Sequence, residues 1–178
     1  MKHVPVFLLV LCVVFPIGLS SAAWGNNDGC LSNWRTDDYD CRPKLIGVPK
    51  IVDGDTIRIG STRIRLHGID APEAKQTCTA NGKDWRCGWE ATMALANVVA
   101  WHWVICHQRD IDRYGLVVAV CRAGPIDLSA WMVGKGWAVA YRLNSPDYVA
   151  DEDSAKSDRR GIWRGQFVRP REWRQKMR

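Results

Sequence analysis

The chain has 178 residues, 47% of them hydrophobic and 10% aromatic, which suffices for one packed domain and is short for two. A net charge of +6 and a pI near 9.1 favour acidic partners: nucleic acid, an anionic polysaccharide or a membrane surface. The apolar run from Val6 to Leu19 is shorter than the roughly 18 to 20 residues of a spanning helix, and no later segment supplies one, so no membrane span is expected after leader removal.

Lys2, that apolar run and the small residues Ser21 and Ala23 read as a signal peptide over residues 1–23, which implies an exported protein, periplasmic or secreted. Cys12 lacks the preceding small residue of a lipoprotein cleavage site. Removing the leader leaves Cys30, Cys41, Cys78, Cys87, Cys106 and Cys121, an even number in an exported chain, so disulfides are expected. Local spacing favours Cys30–Cys41 and Cys78–Cys87, while zinc is disfavoured because no CxxC pair exists. Residues 24–43 are polar and without a sustained period, and read as an N-terminal extension stapled by Cys30–Cys41.

From Lys44 the pattern turns to β, as LIGVPKIV, TIRI and TRIRLHGI, punctuated by Asp53-Gly54 and Gly60-Ser61, which predicts a three-stranded meander. A two-residue turn at Gly60-Ser61 sets Ile59 opposite Thr62, Ile57 opposite Ile64 and Thr56 opposite Arg65. Ile57, Ile59, Ile64 and Leu66 then share the core face, and Arg63, Arg65 and His67 the other. Asp55 falls across from the Arg65-Leu66 position, and the turn after His67 returns Asp70 and Glu73 to the same sheet end. Hard carboxylate oxygens beside a planar guanidinium suit a metal ion handling a phosphodiester.

Residues 74–88 read as a loop, and the alanine-rich stretch from about Trp89 to Trp101 as a helix. VICHQRDIDRYGLVVAVC predicts a hairpin whose turn, centred on Asp112 to Gly115, puts Cys106 directly opposite Cys121, close enough for a disulfide. Asp127 is a candidate N-cap for LSAWMVGK, WAVAYR reads as a strand, and the polar stretch from Pro146 to Arg160 as mostly helical. The tryptophans read mainly as core and helix-packing residues. Residues 165–178 form a basic tail after a domain spanning 44–164. This order predicts a mainly β fold with helices (α+β), an OB-fold in which a five-stranded Greek-key barrel carries about three helices.

VDGDT, RLHGIDAPE, DRYG and GWAVAYR, in this order and spacing, resemble the staphylococcal nuclease (thermonuclease) family, and the likeness covers roughly Leu45 to Trp163. It extends to an exported branch of the family that includes a succinoglycan-biosynthesis protein. The resemblance implies a Ca²⁺-dependent endonuclease acting on DNA or RNA and leaving a 3′-phosphate; separately, the chain is expected to be a monomer. It implies that Asp55 and Asp70, with the Ala71 carbonyl, hold Ca²⁺. Glu73 matches the general base or the residue that positions the attacking water, and Arg65 the arginine on the scissile phosphate. Tyr114 and Tyr141 match tyrosines of the nucleotide pocket, and Arg113 stands where the family has a lysine. One departure is Leu116, at the place of a second arginine beside the leaving group; leucine donates no hydrogen bond. Two alternatives to a full-rate nuclease therefore remain: a catalytically weak nuclease-like binding module, and a role in exopolysaccharide biosynthesis with an acidic polysaccharide as partner.

Overall fold

The computed structural model describes residues 43–143 and 145–177. The expected signal peptide, the N-terminal extension and the Cys30–Cys41 bridge lie outside these residues. The chain runs through β1 (Lys44–Gly47), β2 (Lys50–Ile51), β3 (Thr56–Ile59), β4 (Thr62–Leu66), β5 (Ile69–Asp70), β6 (Cys78–Ala80), β7 (Lys83–Trp85) and α1 (Cys87–Val99). It continues with β8 (Val104–Ile111), β9 (Val117–Ala123), β10 (Ile126–Asp127), α2 (Leu128–Gly134), β11 (Val139–Ala140), α3 (Val149–Ser157), a 3-10 turn over Gly161–Arg164 and α4 (Pro170–Lys176). The architecture is α+β, a curled half-barrel sheet of the OB type with four α-helices among the described residues.

The main sheet has the order β1-β8-β9-β4-β3-β2, with β10 paired to β9. It curls until one edge meets the far wall: a Cβ placed on Gly47 of β1 would lie 2.6 Å from Ile59 of β3. Ile57, Ile59, Ile64 and Leu66 fill the inside with Leu45, Leu95, Leu128 and Met132, all at most 2% exposed. Burying each such side chain contributes about 1.5 to 3 kcal/mol. The β3–β4 pairing sets Thr56 opposite Arg65 and Ile57 opposite Ile64, as the Gly60-Ser61 turn predicts. Parallel pairing of β4 with β9 sets Arg65 beside Val118, which carries the Asp112–Leu116 turn to the same end of the sheet.

Several elements differ from the sequence reading. LIGVPKIV is two strands: β1 pairs with β8, and only β2 continues the β3–β4 hairpin. Pro49, which has no N–H to give a ladder, marks the switch. Residues 74–88 contain the β6–β7 hairpin, WAVAYR is extended only at Val139–Ala140, and the tail forms α4, led by Pro170 at its first turn. The first long helix starts two residues before the expected Trp89 and stops at Ala100, which takes a left-handed conformation. Trp89, Trp101 and Trp103 are exposed, Trp101 by 89%, so these three are not core residues. The Cys78–Cys87 and Cys106–Cys121 disulfides are formed, with Cα separations of 5.6 and 4.0 Å.

Helix α3 is fastened to β11 by one fully buried carboxylate. Glu152 accepts from Ala140 N at 3.2 Å, Arg142 Nη2 at 2.7 Å and Lys156 Nζ at 2.8 Å. Burial alone would raise its pKa, but the hydrogen bonds and charges of Lys156 and Arg142 outweigh that and hold it below the ordinary value. A depressed carboxyl stabilises the fold above its unfolded pKa, about 4.3, and that contribution disappears as pH falls through the folded value. Glu152→Gln should therefore lower the unfolding midpoint most at neutral pH. The gap to wild type should close between pH about 4.3 and the lower folded value. Thermal unfolding across pH checks this, and a gap constant down to strong acid rules it out.

Candidate active site

The turn before β3 is tight: Val52 and Asp53 both donate their N–H to Thr56 O, at 2.9 and 3.3 Å. Gly54 is required there, because a Cβ would lie 2.8 Å from Ala71 Cβ and 3.1 Å from Ala91 Cβ. The turn aims Asp55 inward, where it is 6% exposed, and its Oδ2 accepts from Ala71 N at 3.1 Å while Oδ1 accepts from Thr56 Oγ1 at 2.8 Å. Asp70, 2% exposed, is fixed by the pairing of β5 with β11, opposite Val139. Arg65 Nη2 bridges the two carboxylates, 3.4 Å from Asp55 Oδ2 and 3.0 Å from Asp70 Oδ1.

Glu73 follows on a short turn in which Gln76 N donates to Glu73 O at 2.7 Å and Gln76 Oε1 accepts from Glu73 N at 3.3 Å. Its side chain is 37% exposed, so water can reach it. Two residues that the sequence did not single out complete this region. Fully buried Gln76 donates through Nε2 to Val168 O at 2.7 Å, tying the Glu73 loop to the segment ahead of α4. From α4, Arg174 donates to Glu73 Oε1 and to Asp70 Oδ1, both at 2.8 Å. The tail's basic run signals charge, but no local pattern in it points at Arg174 in particular.

The electrostatics leave the carboxylates under-compensated. Burial, then repulsion from Asp55, pushes Asp53 up to about 7. Burial, then Asp55, raises Asp70 above the usual carboxylate range despite the opposing pull of Arg174 and Arg65. Arg65 is raised in turn, chiefly by Asp55. Buried hard oxygens with surplus negative charge fit a divalent cation such as Ca²⁺. Among the described residues no three Asp, Glu, His or Cys side chains come together as a metal-holding group. The fit is thus to a set of two carboxylates, Asp55 and Asp70, with backbone, water or substrate oxygens supplying the rest.

A cavity of about 360 Å³ is lined by Asp53, Asp55, Thr56, Arg63, Arg65, Glu73, Asp112, Tyr114, Leu116 and Arg174. It adjoins a groove of about 590 Å³ whose walls include Arg113, Tyr114, Tyr141, Arg171 and Arg174. Tyr114, Tyr141 and Arg113 therefore come together beside the carboxylates. Tyr114 is 71% exposed, and the Arg113 guanidinium lies 4.9 Å from its ring centre. Leu116 N and Tyr114 N both donate to Asp112 Oδ1 at 2.8 Å, so an aspartate-stabilised turn holds the Leu116 backbone in place.

The family model of the staphylococcal nuclease homologues matches residues 63–165. The chain is 38% identical over 135 residues to the succinoglycan biosynthesis protein ExoI of Rhizobium meliloti (strain 1021), which covers 74% of this chain and 71% of that protein. It is 32% identical over 145 residues to Protein ParB of Escherichia coli, covering 71% and 77% of the two. It is also 31% identical over 123 residues to an uncharacterized endonuclease of Escherichia coli, covering 65% and 74%. With a curled OB-type sheet, a carboxylate and arginine cluster at one end of it and a family match over more than half its length, the chain belongs to the staphylococcal nuclease family.

Proposed function

We propose that the protein is an exported endonuclease that hydrolyses DNA or RNA phosphodiester bonds with Ca²⁺. The observation that supports this best is the shared cavity in which Asp55, Arg65, Glu73 and Tyr114 meet. Asp55 and Asp70 would hold the ion, with the Ala71 carbonyl, and the ion would neutralise phosphate charge and acidify water. Arg65 carries its guanidinium to the phosphate oxygens and stabilises the charge that builds on them. Glu73 accepts the proton of the attacking water. Tyr114, Tyr141 and Arg113 flank the nucleotide next to the scissile bond. Export is supported by the disulfides and the leader-like N-terminus. No helix among the described residues is long and apolar enough to cross a membrane.

The chain without residues 1–23 should degrade single-stranded DNA with Ca²⁺ and stop on chelation, and Asp55→Ala should abolish the activity. Degradation that persists equally in chelator and in the variant sinks the reading. A second reading is the binding of an acidic polysaccharide. It is favoured by the arginines along the groove and by the name of the Rhizobium relative. Glycan binding that outcompetes DNA and survives added salt would favour it.

A further inference from the structure

Arg174 lies in α4, beyond the residues that match the family model, yet its guanidinium ends among the groups assigned above to the reaction. Nη2 donates to Asp70 Oδ1 at 2.8 Å, the same oxygen that Arg65 Nη2 approaches at 3.0 Å, so two guanidiniums converge on one atom. Nη1 donates to Glu73 Oε1 at 2.8 Å. Leu116 and Arg174 line one cavity, and Arg174 also lines the adjoining groove with Tyr114 and Tyr141. It therefore stands where the carboxylate cluster passes into the groove. The position is built into the fold: the Gln76 amide links the Glu73 loop to Val168, and Pro170 at the start of α4 is buried.

We propose that Arg174 is the second phosphate-binding guanidinium of this site, supplying from the C-terminal helix the donor that Leu116 lacks. The proposal rests on the phosphodiesterase reading. A guanidinium offers several N–H groups in a fixed fork, so one held by Asp70 and Glu73 still has donors for a phosphate oxygen. Two such forks on one phosphate spread its developing charge. An arginine that merely plugged the carboxylates would compete with Ca²⁺, and its removal would speed the reaction. The two roles differ in sign.

The test uses the chain without residues 1–23. Arg174→Gln should lower kcat on single-stranded DNA about 10²- to 10³-fold, with Arg174→Lys falling less. With Ca²⁺ withheld, Arg174→Gln should weaken binding of a phosphorothioate oligothymidylate about tenfold. Loss of one phosphate contact should also reduce the slope of log affinity against log salt by about 0.7. Leu116→Arg should raise kcat about tenfold more in the Arg174→Gln background than in wild type, because it restores one missing donor. Cleavage and binding by Arg174→Gln at or above wild-type levels overturn the proposal, as does an equal Leu116→Arg gain in both backgrounds. A wild type that cleaves nothing with Ca²⁺ defeats the nuclease reading alone; the affinity and salt slope then decide Arg174, and unchanged values overturn it. If Arg174→Gln fails to fold, Arg174→Lys carries the kcat comparison: it retains the charge, and so the salt slope, but loses the planar fork, and wild-type kcat in that variant overturns the proposal.

Discussion

Replacing Glu73 by glutamine should lower Ca²⁺-dependent cleavage of single-stranded DNA by about 10²- to 10⁴-fold, the range for losing a positioned general base. The substitution isolates proton transfer from packing. Glutamine keeps the shape of the side chain and an oxygen able to accept from Arg174 Nη1, now 2.8 Å from Glu73 Oε1. The backbone bonds between Glu73 and Gln76 do not depend on the carboxylate. What is lost is the capacity to take a proton at neutral pH. The loss should fall on kcat, with KM little changed and the unfolding midpoint close to wild type. Single-turnover rates at saturating Ca²⁺ check this, and a variant as fast as wild type removes Glu73 from the chemistry.

The site is readable from sequence where chemistry follows local register. Gly60-Ser61 fixes a short hairpin, and from it the approach of Asp55 to Arg65 follows by strand geometry. The Cys106–Cys121 pairing is a more instructive case. Asp112 N donates to Leu116 O, so near the turn the strands pair one residue off the predicted register, and a bulge between Gln108 and Asp110 restores it before the cysteines. The disulfide expected from a simple hairpin thus forms across a less simple one. Arg174 was not readable, because the contact that anchors its helix joins Gln76 to Val168, 92 residues away. The tail shows Pro170, an acidic first turn and basic residues in the last turn, which suffice to suggest a helix and say nothing of where it docks. Partner choice at β1 was hidden for the same reason: an apolar strand beside Pro49 fits either neighbour, and curling of the sheet selects β8.

Gly88→Ala should damage both stability and catalysis, against the sign that helix propensity gives. In a helix, alanine is favoured over glycine by roughly 0.5 to 1 kcal/mol, so propensity alone predicts a more stable protein. The first turn of α1, however, presses on the Glu73 loop: a Cβ on Gly88 would sit 1.7 Å from Glu73 O and 2.6 Å from its carbonyl carbon. These atoms are backbone, so no side chain can swing away. The loop is also held from both sides, by Gly88 N donating to Gln76 O at 3.1 Å and by the Cys78–Cys87 disulfide next to it. Overpacking of this kind costs about 1 to 3 kcal/mol or more, which outweighs the propensity gain. Whatever part of the clash the loop relieves by moving is paid in the position of Glu73, and a shift of about 1 Å in a catalytic group costs on the order of 10²-fold in rate. A lowered unfolding midpoint together with a lowered kcat is the expected result. A midpoint raised above wild type, with kcat intact, would mean that Gly88 is an ordinary helix position and that the Glu73 loop does not lean on α1.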